Sequence, residues 1–400
     1  MSNQQVVQTR GIYHGLPVYP SSIKGLTAII TGANGISGNY MLRVLTQNPE
    51  RWTKTYCLSR RPPAIPNGLP KNAEHIPLDF LKDKEEIARV LREKGVQADY
   101  VFFYSYVQAQ PKEGKGLWSD AKEMCRVNVA LLKNFCDALP LANIKPKRIM
   151  LQTGAKNYGI HLGPAVTPQE EHHPRVTLEP NFYYPQEDYL DNFCTKQGIQ
   201  WTLAMPSYIL GAVPDTAMNL IYPLGIYAAV TKHLGQRLDS SKLNAYLEEW
   251  AVLTPRPRAS GLIPWIRRRL LGGGFWPKFA AWYGLEYTRP VMDESVYKHI
   301  MTTPYDPPPR GFGPPATYRM RFTLVEWARR EDVGRAWDEI LDKYGERIKG
   351  AKRFKDMDVE RIFAFADGSL AGGTLDMSMN KCIREVLGEF SELRMLPPIE

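Results

Sequence analysis

The stretch Leu26-Thr27-Ala28-Ile29-Ile30-Thr31-Gly32-Ala33-Asn34-Gly35-Ile36-Ser37-Gly38 decides the fold. Leu26 to Thr31 is a largely apolar run, which predicts a strand buried on both faces, as in a parallel sheet. Gly32, Gly35 and Gly38 then recur at every third position. Glycines in such a turn let the backbone bend tightly and approach a diphosphate, and the helix expected from Ile36 to about Leu45 offers unpaired N–H groups to the same anion. Spaced glycines alone are a weak signal, but a position between a strand and a helix strengthens it. Gly32, Asn34, Gly35, Ile36 and Gly38 are therefore the first candidate dinucleotide-binding residues.

Working outward, further strands are expected at Thr55–Ser59, at His75–Leu78, at Tyr100–Tyr106 and at Arg148–Thr153. Helices are expected from Lys82 to Lys94 and from Cys125 to Leu139. This alternation predicts an α/β protein with a Rossmann-type doubly wound parallel sheet. Residues 1–21 read as a flexible arm and 22–205 as the dinucleotide-binding domain. After Pro206 the alternation weakens, prolines cluster at Pro307-Pro308-Pro309 and Pro314-Pro315, and helical segments are expected at Phe275–Tyr283 and Leu324–Tyr344. Residues 206–400 are thus expected to form a smaller, more helical, substrate-covering region.

The end of the second strand reads on cofactor choice. NAD-binding sites usually carry an acid there for the ribose 2′-hydroxyl, whereas this chain has Ser59-Arg60-Arg61 and no acid nearby. Guanidinium groups suit a 2′-phosphate, so NADP(H) is the expected cofactor, with ordinary surface arginines as the bland alternative. Asp79, after the third strand, suits either the adenine amine or the start of a helix.

Composition narrows the class. A 400-residue chain with 44% hydrophobic and 23% charged residues is that of a folded globular protein. No apolar run is long enough to span a bilayer, the N-terminus lacks a secretory core, and no address is evident, which favours the cytoplasm and no membrane partner. The net charge of +9 is spread along the chain, with only Arg267-Arg268-Arg269 as a run. It is read as solvated surface plus anionic ligands, with no nucleic-acid partner. The five cysteines form no CxxC pair and read as reduced, mostly buried thiols. His161, His172 and His173 lack metal-ligand spacing and read as surface residues, so no metal is expected.

Lys156 lies just past a strand end, and Asn181-Phe182-Tyr183-Tyr184 follows. A tyrosine near a lysine at the carboxyl edge of such a sheet can donate to a developing oxyanion, the ammonium tuning the phenol. By spacing alone, a surface lysine and a packing aromatic explain the pair as well. At this point the residues carry a resemblance. Thr31-Gly32-x-x-Gly35-Ile36-x-Gly38, Ser59-Arg60-Arg61, Leu151-Gln152-Thr153-Gly154-x-Lys156-x-Tyr158 and Asn181-Phe182-Tyr183-Tyr184-x-x-Glu187-Asp188 together resemble the atypical short-chain dehydrogenases/reductases of the progesterone 5β-reductase and iridoid synthase family.

The resemblance implies Tyr184 as catalytic tyrosine and Lys156 as its partner, with Asp188 standing where the ordinary YxxxK pattern has lysine. It implies Tyr104, Thr153, Pro206, Ser207 and Ile209 at the cofactor. It places Tyr106 on the substrate side, with Tyr183 either packing, the favoured reading, or substrate-lining. The implied activity is NADPH-dependent reduction of an enone, enal or carbonyl in a small, largely apolar metabolite of specialised metabolism. A homodimer is compatible with it. Two other classes are a catalytically silent NADP-binding protein and an isomerase or lyase that uses bound NADP without net turnover. Residues 236–274 depart from the family between familial flanks, through either true divergence or an error in the gene model.

Overall fold

The computed structural model describes residues 7–10, 13–17, 21–65, 67–110 and 119–239 (apart from 163, 164, 167, 207, 208, 210, 212, 215 and 217), then 275–302 (apart from 289–292 and 298), 317–348 and 350–371. Ser207, Cys382, both proline clusters and almost all of the irregular 236–274 stretch lie outside the described residues.

The run Leu26–Thr31 is strand β3, the centre of a six-stranded parallel sheet. Two strands precede it, β1 (Val7–Arg10) and β2 (Tyr13–Pro17), which pair antiparallel with Arg10 opposite Tyr13. The arm expected to be flexible thus folds back on itself over these residues. After β3 come helix α1 (Ile36–Thr46), β4 (Trp52–Ser59), β5 (Ala73–Pro77), α2 (Lys84–Glu93), β6 (Tyr100–Phe103), α3 (Ala121–Leu141), β7 (Arg148–Gln152), a 3-10 turn (Ala155–Tyr158), α4 (Tyr183–Gln197) and β8 (Gln200–Ala204). The spatial order is β5-β4-β3-β6-β7-β8, the dinucleotide-fold order with its reversal beside β3.

Strand periodicity explains the two-sided core. Ile29 faces one side with Leu58, Ile76, Val101 and Phe103, where α2, α3 and α4 supply Leu91, Phe135 and Leu190. Ala28 and Ile30 face the other, where Leu42 and Leu45 of α1 cover them. At the opposite edge from the site, the Asp99 carboxylate accepts from Thr27 N and Thr27 Oγ1 and pairs with Lys147 at 2.9 Å. That clamp fixes the register of β3 against β6. Strand β6 ends at Phe103, short of the expected Tyr106, because the N–H groups of Tyr104 and Ser105 turn to Thr31 Oγ1 at 3.1 and 3.2 Å.

A second core follows. It gathers α5 (Ile221–His233), α6 (Phe275–Tyr283), α7 (Leu324–Ala328), α8 (Glu331–Tyr344) and α9 (Val359–Ala371) around Leu224, Tyr227, Trp276, Trp327, Trp337 and Phe363. The single helix expected over Leu324–Tyr344 is broken at Arg329-Arg330. Short ladders accompany this region: β9 (Leu238–Asp239) with β10 (Tyr287–Thr288), and β11 (His299–Thr302) with β12 (Thr317–Met320). Among the described residues no helix is long and apolar enough to cross a membrane. Cys57, Cys136 and Cys194 are buried free thiols, and Cys125 is half-buried.

Candidate active site

The glycine turn is built for close approach. Gly32 has φ +63°, and a Cβ there would lie 2.9 Å from the backbone of Tyr104. A Cβ on Gly38 would lie 2.5 Å from the carbonyl oxygen of Gly32. Both positions therefore exclude a side chain, while Gly35 is merely tight. Helix α1 begins at Gly35 with no side-chain cap and no acid in its first turn. By contrast, α2 is capped by Asp83, whose side chain accepts from Glu86 N. The start of α1 thus leaves its N–H groups and positive dipole end for an anionic ligand.

Arg60 and Arg61 are exposed just after β4, next to Ser59, whose hydroxyl donates to Arg61 O at 2.7 Å. Asp79 accepts from Leu81 N, and the helix cap falls to Asp83 instead, which removes one of the two readings of Asp79. Thr153 Oγ1, at the carboxyl end of β7, is buried and has no hydrogen-bond partner among the described residues. Tyr104 lies half-buried beside Gly32, and Pro206 and Ile209 follow β8. A cradle that no Cβ can enter, an orphaned buried hydroxyl and two exposed guanidiniums make a donor set that fits a phosphorylated dinucleotide.

The two adjacent tyrosines point different ways. Tyr184 is buried, but its hydroxyl is spent: it donates to Asn157 O at 2.7 Å and accepts from Val176 N at 2.8 Å. Arg175 covers its ring at 5.2 Å and pairs with Glu187 at 3.0 Å and Asp188 at 2.7 Å. Tyr184 therefore latches the segment at Val176 onto α4, with its hydroxyl engaged by backbone groups on both sides. Tyr183 has its hydroxyl 3.4 Å from the Cβ position of Gly154, near Pro206 O. That is the carboxyl end of β7 and β8, where ligands of open α/β sheets bind. No hydrogen-bond partner of this hydroxyl falls among the described residues, and burial pushes its pKa up.

Helix phase carries the signal that the sequence reading missed. Tyr184 shares a face with Glu187, Asp188 and Asp191, the polar side of α4; Tyr183 shares one with Gln186 and Leu190, both buried. Asn181 was also missed. Its amide donates to Lys156 O at 3.0 Å and its Oδ1 accepts from Tyr183 N at 3.2 Å, joining the lysine turn to the tyrosine helix.

Lys156 sits on the 3-10 turn, and burial brings its ammonium down to about 8, against the opposing pull of Glu179 and Cys125. Tyr106 packs on Phe182 at 5.9 Å and donates to Gln108 at 2.6 Å. With Tyr183, Ala109, Met124 and Val127 it forms one apolar cluster. His161 corrects the surface reading, since its side chain is only 13% exposed and is paired with Glu179. Glu170, His172 and His173 bring ligand atoms within 4.8 Å of one another, which the spacing did not suggest. Within the trio, His172 Nδ1 lies 3.2 Å from Glu170 Oε2, and His173 Nδ1 accepts from Glu170 N.

A family model described as a PRISE-like Rossmann-fold domain matches residues 28–244. The chain belongs to that family. Among relatives of this PRISE-like protein, a short chain dehydrogenase of Penicillium aethiopicum is 26% identical over 83% of this chain and 85% of its own length. An (S)-8-oxocitronellyl enol synthase of Catharanthus roseus is 26% identical over 88% and 84%. A 3-oxo-Delta(4,5)-steroid 5-beta-reductase of Arabidopsis thaliana is 31% identical over 55% of each.

Proposed function

We propose that this PRISE-like protein is an NADPH-dependent reductase of an activated C=C or a carbonyl in a small, largely apolar metabolite. The names of its relatives support a short-chain dehydrogenase/reductase-type oxidoreductase acting on such molecules. The single observation that carries the assignment of roles is the Tyr183 hydroxyl over Gly154, two residues before Lys156, while the Tyr184 hydroxyl is committed to backbone.

Gly32, Asn34, Gly35, Ile36 and Gly38 would hold the diphosphate, Arg60 and Arg61 with Ser59 the 2′-phosphate, and Asp79 the adenine side. Tyr104, Thr153, Pro206, Ser207 and Ile209 would border the nicotinamide, which supplies hydride when bound. Tyr183 then donates a hydrogen bond to the substrate carbonyl oxygen, where negative charge develops. Its burial keeps the phenol protonated at neutral pH, as a donor must be. The Lys156 ammonium offsets the cost of charge at that oxygen. The apolar cluster of Tyr106, Met124 and Val127 excludes water and suits a hydrocarbon skeleton.

The test is NADPH oxidation against a panel of enals, enones and ketones. Tyr183→Phe is expected to lower kcat at least ~100-fold with an unchanged melting temperature. Tyr184→Phe is expected to keep most of kcat but lose about 1–3 kcal/mol of stability with its two hydrogen bonds. The reverse pattern would return the role to Tyr184.

A further inference from the structure

We infer that Asn39 is a positioning residue: it holds the segment that carries Arg60 and Arg61 at a fixed distance from the glycine turn, and so sets the preference for a phosphorylated dinucleotide. This rests on the reading of the two arginines as ligands of the 2′-phosphate. Asn39 is the fourth residue of α1 and is wholly buried. Its N–H closes the helical bond to Gly35 O at 2.9 Å. Its side-chain Nδ2 leaves the helix and donates to Ala64 O at 3.1 Å, three residues past Arg61.

Packing alone does not account for an asparagine here. Asn39 Oδ1 is buried and has no hydrogen-bond partner among the described residues. Burying an amide with one polar atom unpaired lowers stability, and a leucine of similar shape would fill the space without that penalty. What the amide provides and a leucine cannot is the bond to Ala64.

The segment itself is stiff enough to carry that bond to the arginines. The Ser59 hydroxyl donates to Arg61 O at 2.7 Å. Pro62 and Pro63 have a fixed φ, and Arg61, which precedes a proline, is restricted to extended backbone. Ile65 packs against the cluster that includes Leu42 and Leu45 of α1. The arginines are thus flanked by a fastening at Ser59 and another at Asn39. The diphosphate and the 2′-phosphate belong to one half of the same ligand, and a guanidinium binds phosphate best in a narrow range of geometry. Asn39 links the two places that must match that ligand, the start of α1 and the arginines. A dinucleotide without the 2′-phosphate uses only the first of them and does not sense the link.

The experiment needs no substrate. NADPH and NADH are titrated separately into the full chain, and the ratio of their Kd values is read from nicotinamide fluorescence. Asn39→Leu should weaken NADPH about 10-fold or more and NADH less than about threefold. Asn39→Ala should do the same, and it takes the place of the leucine variant if that one does not fold. Asn39→Gln, which keeps the amide, should recover part of the ratio. In the background of Arg60→Ala with Arg61→Ala, Asn39→Leu should no longer change the ratio, since the link then has nothing to position. A purely structural role in α1 would weaken both dinucleotides alike, because both use its start. That result, or an unchanged ratio in the folded variants, overturns the inference while the arginine assignment stands. An equal loss of NADPH and NADH in the double arginine variant alone would instead remove the 2′-phosphate reading, and the inference with it.

Discussion

Tyr183 and Tyr184 are separated by about 100° around one helix, so the proposed donor and the latch to the preceding loop face different ways. The motif itself was legible in the sequence; which tyrosine does which was not read from it. The face shared by Tyr184 with Glu187 and Asp188 pointed outward, yet Tyr184 is buried because Arg175 and Val176 fold over it. Nothing local to the helix announces a loop that comes from earlier in the chain. The glycines behave differently, since their requirement is steric and local. Gly38→Ala is expected to weaken NADPH binding more than ~10-fold and to lower the melting temperature, because its Cβ would meet Gly32 O at 2.5 Å. Fluorescence titration checks the first and a thermal scan the second. Arg60→Ala with Arg61→Ala should weaken NADPH far more than NADH; an equal loss for both would remove the 2′-phosphate assignment.

At the scale of elements, the run Leu26–Thr31 and its helix were readable because period and punctuation agree. The end of β6 was not, since Tyr104 to Tyr106 keep an apolar strand-like pattern while Thr31 Oγ1 captures the next two N–H groups. Such a side-chain acceptor belongs to the neighbouring strand and has no signature within the segment it terminates. The junction of α9 with α7 offers a comparable long-range contact. The buried Asp367 carboxylate accepts from Leu324 N at 2.7 Å and Val325 N at 3.1 Å, serving a helix start far from it in sequence. Burial raises its pKa to about 6 in spite of those bonds. A folded pKa above the unfolded value means that the folded state holds the extra proton between about pH 4 and 6, so this group's contribution declines as pH rises through that window. The melting temperature of wild type minus that of Asp367→Asn should therefore fall from pH 4 to pH 7. A difference that stays flat would show that the carboxyl is not desolvated in solution.

On the scale of the whole molecule, two hydrophobic cores share no residue: one lies on the sheet face with Phe103 and Phe135, the other among helices around Trp327 and Trp337. The glycine turn and both arginines belong to the sheet. Trp337→Ala should cost about 3–5 kcal/mol in the helical core while the NADPH affinity of the sheet changes little. Calorimetry with and without NADPH would test this, and loss of binding together with the helical core would mean that the two unfold as one. The sequence announced the first core through its strand rhythm but left the second vague, because its helices are short and interrupted and draw their burial from one another. One feature bears on how such a protein changes over generations. The loop before α4 is pinned near the lysine by Asn157 and near the tyrosines by Arg175 and Val176. A substitution at Arg175 or Val176 therefore reaches the start of α4 through Tyr184, so this part of the loop is expected to vary less among related chains than an ordinary exposed connection.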